Sequence, residues 1–225
     1  MVKQTVLVTG ASGNLGKAVA EAFARHSYSV YGFVHNKQAN NSLPANKVIP
    51  VELDLLDETA CITWVQHIAN NNGSIDVAVL TAGGFAMGYI ADTNSKAIQQ
   101  QIQLNFETAY HMARPIFLQM LQQKKGYLFF IGSKAGLDTR HALGVTAYGL
   151  SKSLLFRLAE IMRAEAKGTQ LVVKVIVPSI IDTPQNRAAM PQADFAAWTT
   201  PEAIARVIFE QTMPNATPEE WVVMV

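Results

Sequence analysis

Short, unbroken apolar runs alternate with longer stretches of helical period along almost the whole chain. This alternation restricts the fold more than any other feature. A strand buried on both faces reads as a continuous apolar run, and such strands separated by helices join as βαβ units into a parallel sheet. TVLVTG (5–10) reads as the first strand, and Asn14 to His26 as a helix with Leu15, Val19, Ala22 and Phe23 on one face. SVYGFV and KVIPVEL, the latter ending near Leu53, read as the second and third strands, and Asp57 is placed to cap a helix running toward Asn71. IDVAVLTAGG reads as a fourth strand ending in a glycine turn. A long helix is expected from about Thr93 to Gln122, kinked at Pro115 where a backbone donor is missing. GYLFFIGS, QLVVKVIVPS and WVVMV supply three more strands, with helices over about 145–167 and over TPEAIARVIFEQ. The expected architecture is α/β: one doubly wound, Rossmann-type domain over 1–225, with a seven-stranded, mostly parallel sheet flanked by helices on both faces.

Composition narrows the function. Hydrophobic residues make up 49% of the chain, which excludes a disordered or collagen-like protein. Lys plus Arg number 18 against 17 Asp plus Glu, so no charge excess argues for nucleic acid or a membrane surface. The single cysteine, Cys61, excludes an internal disulfide and a cysteine-rich zinc site, and reads as a small packed residue. His26, His35, His67, His111 and His141 lack paired ligand spacing, so no metal is expected. No apolar run reaches the ~18 residues of a membrane helix. The N-terminal run has no signal-peptide pattern, and the protein is expected to be cytoplasmic.

VTGASGNLG stands between the first strand and the first helix, where a dinucleotide fingerprint belongs. Gly10 suits a tight turn, Gly13 a close approach of backbone to a pyrophosphate, and Gly16 close packing of helix and strand. Ser12, Asn14 and Leu15 complete the cradle, and the helix start offers N–H groups to phosphate. Lys17 either lies near the phosphates or faces water. An NAD-binding chain normally carries Asp or Glu about 20 residues further on, to hold the ribose hydroxyls. VYGFVHNKQAN has neither; His35, Asn36 and Lys37 follow the strand instead. Lys37 would attract a 2′-phosphate, so NADP is expected as cofactor, with NAD possible.

In AYGLSKS, Tyr148 and Lys152 are four residues apart and share a helix face. In a doubly wound sheet, ligands bind beyond the carboxyl ends of the strands, where Ala82, Gly83 and Gly84, Ser133, the Tyr148 helix and VPSIIDT all converge. Hydride transfer to a carbonyl makes an alkoxide that needs a proton, and Tyr148 can supply it. Lys152 and an oxidised nicotinamide are cations that would favour tyrosinate. A fall of about three pH units from the usual tyrosine value corresponds to ~4 kcal/mol. Ser133 can hydrogen-bond the oxyanion.

With these positions filled, nearly the whole chain resembles the short-chain dehydrogenase/reductase family. YGLSK matches its Tyr-x-x-x-Lys, and Ser133 stands at the expected place upstream. The resemblance implies a water-relay asparagine at Asn105, an adenine-side aspartate at Asp54 beside Leu55, and a glycine segment at Ala82–Gly84. It also implies a nicotinamide-side segment with Pro178, Ile181 and Thr183. The chain departs from the family in its Gly-x-x-Gly-x-x-Gly spacing and in Ser179, where many members have glycine. TAGGFAMG, GSKAGLD and the stretch from Asp182 to Trp198 are similar to dihydropteridine reductases within the family. Those typically carry alanine at the Ser133 position and favour NADH through an acidic residue that this chain lacks.

The expected activity is NAD(P)(H)-dependent carbonyl/alcohol oxidoreduction with Asn105, Ser133, Tyr148 and Lys152. Reduction of a quinonoid pterin is the alternative within the family, and a non-catalytic NAD(P) sensor is the alternative outside it. A substrate loop is expected over about 182–199, with Phe85, Met87 and Trp198 as candidate substrate contacts. The partner is a small molecule. A homodimer or homotetramer is expected from apolar Leu154, Leu155, Leu158, Ile161 and Met162 on the Tyr148 helix, more than one sheet face readily covers.

Overall fold

The computed structural model describes residues 3–36, 43, 47–214, 216 and 219–225. Its centre is a sheet of seven strands: β1 (Thr5–Thr9), β2 (Ser29–Val34), β3 (Val48–Glu52), β4 (Val77–Leu80), β5 (Lys125–Ile131), β6 (Gln170–Val177) and β7 (Val222–Met224). Every pairing is parallel, in the order β3-β2-β1-β4-β5-β6-β7. The chain winds outward from β1 to β3, then returns to the other side of β1 for β4. The crevice at that switch, beyond the carboxyl ends of the strands, is where a ligand is received.

The strands are apolar on both sides because both faces are covered. Successive residues of β1 point to opposite layers. Val6 and Val8 join Val77, Val79, Phe129 and Ile176 beneath α1 (Asn14–Arg25) and α9 (Pro201–Glu210). Leu7 joins Ala78, Leu128 and Phe130 beneath α2 (Glu58–Asn72), α4 (Thr108–Gln123) and α7 (Thr146–Glu165). Cys61 is buried in that second layer, and its thiol is pushed up to about 12 by burial and then by Asp57 and neighbouring carboxylates. It is packing, not chemistry. Asp57 caps α2 as expected, its side chain accepting from the Ala60 amide at 2.9 Å.

The long helix expected over about 93–122 runs from Ser95 to Gln123, its hydrogen-bond register changed by a π-turn inside it. A 3-10 turn at Ile90–Asp92 precedes α3 (Ser95–Ile102), which Asn94 caps. A π-turn at Gln103–Glu107 then carries the chain into α4. Pro115, where a kink was expected, lies inside α4, which continues through it. Asn105 lies in this π-turn, its side chain bonded both to the backbone of the turn after β4 and to Gln101 one helical turn earlier.

Four short helical pieces follow that the apolar pattern did not announce: α5 (Lys134–Leu137), α6 (Thr139–Ala142), α8 (Pro184–Ala189) and a 3-10 turn at Phe195–Ala197. On α7, Leu155, Leu158 and Met162 are buried in the chain's own core, so the surplus apolar surface is smaller than the sequence suggests. What remains outside is half-buried Leu154 with Leu150 and Ile161, both 49% exposed. Among the described residues no helix is long and apolar enough to cross a membrane.

Candidate active site

The glycine turn after β1 is built from backbone. Gly10 sits at φ +59°, the left-handed region that glycine enters at no steric cost. A Cβ on Gly16 would overlap the Gly10 carbonyl and come within 2.8 Å of Thr81 Oγ1. Gly16 therefore packs α1 onto the turn and onto the end of β4. Thr81 Oγ1 in turn donates to the Thr9 carbonyl at 2.6 Å, and the Ala11 amide donates to the Phe33 carbonyl at 3.1 Å. These bonds fix the turn to the strands on both sides. α2, α3, α8 and α9 each begin with a side-chain cap, but α1 begins at Gly13 with none. Ser12 is half-buried, Asn14 is exposed and Leu15 is buried. A tight turn where Gly10 and Gly16 leave little room for a Cβ, opening an uncapped helix, fits the pyrophosphate of a dinucleotide.

The other residues expected to contact a cofactor follow β2 and β3 or lie on α1. His35 and Asn36 are exposed immediately after β2. Lys37 lies outside the described residues. Asp54 is exposed after β3, its carboxylate accepting from the Leu56 amide at 2.9 Å, with Leu55 half-buried beside it. Lys17 is exposed on α1.

The second wall is built from side chains. Ser133 follows the end of β5, caps α5 by accepting from the Ala135 amide at 3.2 Å, and stands near enough to the Tyr148 hydroxyl to favour its ionised form. Lys152 is buried one turn along α7 and donates to the Ile131 carbonyl at 2.9 Å. Its ammonium is 5.9 Å from the centre of the Tyr148 ring. Burial raises the tyrosine's pKa, against a smaller lowering by Ser133. Burial brings the lysine down to about 8. The lowered tyrosine expected from the sequence is thus reversed in the protein's own charge set, because desolvation of the phenolate outweighs the effect of Ser133.

Asn105 is completely buried between the two walls. Its Oδ1 accepts from the Gly84 amide at 2.9 Å, and its Nδ2 faces the Gly84 carbonyl at 3.0 Å. A Cβ on Gly83 would lie 2.6 Å from Asn105 Oδ1 and 3.5 Å from Lys152 Nζ, so the Ala82–Gly84 turn, the asparagine and the lysine meet at one point.

Beyond β6, Pro178 is buried and Ile181 bridges to Thr199, which closes the base of the 182–199 loop. Ser179, the departure from the family glycine, shares a 2.6 Å hydrogen bond with the Thr199 hydroxyl. Thr183 caps α8. Inside the loop Arg187 pairs with Asp182 at 2.6 Å and lies over the Phe195 ring. Asn14 reaches across from α1 to Gln185 at 3.0 Å.

Of the candidate substrate contacts, Phe85 stands edge-on to Tyr148 with ring centres 5.0 Å apart and is 63% exposed. Met87 is 82% exposed. Trp198 is buried and packs edge-on against Phe195 within the loop. Sequence reasoning missed Gln101 and Ser151, both buried against Asn105. It also missed the bridge between Gly88 and Val145, which ties the Phe85–Met87 segment to the start of α7. The spacing of Gln101 to Asn105, one helical turn, was the available signal.

The short chain dehydrogenase family model matches residues 4–194. An uncharacterized short-chain type dehydrogenase/reductase of Sinorhizobium fredii is 27% identical over 189 residues, covering 83% of this chain and 73% of the relative. The ketoacyl reductase HetN of Nostoc is 27% identical over 226 residues, covering 96% and 77%. Among solved structures, an oxidoreductase of the short chain dehydrogenase/reductase family from Burkholderia thailandensis superposes with TM-score 0.86 at 23% identity, covering 100% of this chain and 91% of that one.

Proposed function

Because the chain belongs to the short-chain dehydrogenase/reductase family, we propose that it is an NAD(P)(H)-dependent oxidoreductase that interconverts a carbonyl and an alcohol at Tyr148. The observation that carries this reading is one cluster: Ser133 beside Tyr148, with buried Lys152 a turn away, across from a turn where Gly10 and Gly16 leave little room for a Cβ. The Gly10–Gly16 turn would hold the pyrophosphate, Asp54 and Leu55 the adenine side, and Ala82–Gly84, Pro178, Ile181 and Thr183 the nicotinamide side. When bound, the dinucleotide supplies or accepts the hydride.

The chain's own residues handle the proton. In reduction, Tyr148 Oη gives its proton to the carbonyl oxygen, and its raised pKa keeps the acid form populated at neutral pH. Ser133 holds the same oxygen as negative charge grows on it. In oxidation, Tyr148 as tyrosinate takes the alcohol proton and becomes neutral tyrosine, and the Lys152 ammonium, 5.9 Å from the ring centre, favours that tyrosinate beforehand. Exposed Phe85 borders Tyr148 and, with exposed Met87 two residues on, suits a substrate with an apolar body. The name of the Nostoc relative, ketoacyl reductase, is in keeping with carbonyl reduction. The reading favours NADP(H), because residues 30–40 contain no carboxylate. The half-exposed Leu150 and Ile161 fit pairing of α7 with a second copy as a homodimer or homotetramer.

The test is a screen of aryl and alkyl ketones, aldehydes and quinonoid dihydropterin with each reduced cofactor, following nicotinamide absorbance. Oxidation of NADPH by an apolar ketone is expected, with Ser133→Ala slowing it ~10²-fold. Turnover of the pterin alone, indifferent to Ser133→Ala, would favour the dihydropteridine reductase reading. Tight dinucleotide binding without turnover of any compound would make the protein a sensor. NADH bound more than about tenfold tighter than NADPH would overturn the cofactor preference.

A further inference from the structure

Gln101 lies in the last turn of α3 and is buried, although glutamine normally stays in water unless its amide is satisfied. Its Oε1 is 3.0 Å from Asn105 Nδ2, across the junction where α3 gives way to the π-turn. Such a turn breaks the regular backbone ladder and persists only where side chains hold it. The second hydrogen of Asn105 Nδ2 is shared between Gln101 Oε1 and Ser151 Oγ, the latter at 3.1 Å. Ser151 commits its own hydrogen to the Tyr148 carbonyl at 2.8 Å. One buried chain of polar groups therefore runs from Gln101 through Asn105 to the Gly84 turn on one side and to the Tyr148 backbone on the other.

We infer that Gln101 is a positioning residue: it braces the π-turn at Asn105 and so sets the Gly83–Gly84 turn and the Tyr148 helix relative to each other. It touches neither Tyr148 nor Lys152, and acts through Asn105. The other groups around the asparagine amide come from the β4 turn and from α7. Gln101 is the partner from the asparagine's own helix, so without it the amide is held only by elements that the π-turn is supposed to register.

The test uses Gln101→Met, which keeps the shape and removes the acceptor, and Gln101→Glu, which keeps an acceptor at the same reach. Hydrogen–deuterium exchange on the intact protein is the primary measurement. The Gly84 amide and the segment 101–108 should exchange at least about tenfold faster in Gln101→Met, with β5 and α1 unchanged, and Gln101→Glu should restore most of the protection. Wild-type exchange in Gln101→Met, or faster exchange spread evenly over the chain, would overturn the inference. In turnover, where the proposed activity is found, Gln101→Met should lower kcat about tenfold, with the cofactor dissociation constant within about threefold of wild type. Equal losses in Gln101→Met and Gln101→Glu would also overturn it. If wild type turns over no carbonyl, the proposed function fails, and the exchange experiment still decides the role of Gln101.

Discussion

The two walls of the cleft are made of different material. The wall after β1 is backbone: Gly10 at positive φ, Gly16 against a carbonyl, and a helix opened without a side-chain cap. The wall after β4 and β5 is side chain: Ser133, Tyr148, Lys152 and Asn105, with Ser133, Lys152 and Asn105 each bonded to backbone. A backbone wall binds by shape, and adding one carbon fills it. A side-chain wall acts through particular atoms, and one of these can be removed while the packing stays. The two walls should therefore fail in opposite ways.

The largest effect is expected where an atom is removed from the side-chain wall. Tyr148→Phe deletes one hydroxyl and keeps the ring that packs on Phe85. Turnover should fall by about 10²–10⁴-fold, the usual contribution of a positioned proton donor. Cofactor affinity should move less than about threefold, because the glycine wall is untouched. Single-turnover kinetics beside a binding titration separates the two quantities. Full activity in Tyr148→Phe would remove the chemical distinction between the walls.

Gly16→Ala makes the opposite change, adding an atom to the backbone wall. The new Cβ meets the Gly10 carbonyl, which is backbone and cannot rotate away. Dinucleotide affinity should drop roughly a hundredfold, ~3 kcal/mol, in line with the cost of overfilling a packed site. Gly73→Ala is the control: Gly73 has φ +79° at the end of α2, but its Cβ would meet nothing. It should lose about 1 kcal/mol of stability to backbone strain and bind dinucleotide normally. Equal binding defects in the two variants would mean that general destabilisation, not the cradle, governs affinity.

The same contrast explains what could be read in advance. β2 runs over SVYGFV as its apolar residues announce, and the Asp57 cap and Pro201 at the start of α9 follow local rules. The glycine turn was equally legible, since backbone geometry that excludes a Cβ leaves glycine as its written trace. Tyr148 and Lys152 could be paired because both lie on one helix. Gln101 and Ser151 could not be assigned to Asn105, because their meeting depends on how α3 crosses α7. The π-turn was hidden for the same reason, as helical period alone favours one continuous helix over 93–122.

The smallest effect, in stability, sharpens the comparison from the side-chain wall. Lys152 is buried, and burial brings it from an ordinary 10.5 to about 8. Between those two values the unfolded chain holds a proton that the folded chain has released. Stability therefore rises with pH across that window, and below about pH 8 the folded protein bears the full cost of a desolvated ammonium. That cost is on the order of 3 kcal/mol. Lys152→Met removes it but leaves the Ile131 carbonyl without its donor, a loss of about 1–3 kcal/mol. At pH 7 the variant should be as stable as wild type or up to ~2 kcal/mol more stable, although it cannot support the proposed chemistry. The direction of change with pH is the stronger test. From pH 8 toward 10.5 wild type should gain on the variant, because only wild type has the lysine to neutralise. Urea denaturation of both proteins at several pH values measures the difference. If Lys152→Met instead gains on wild type as pH rises, Lys152 is stabilised as a cation in the fold, and this wall is held together by charge rather than carrying charge at a cost.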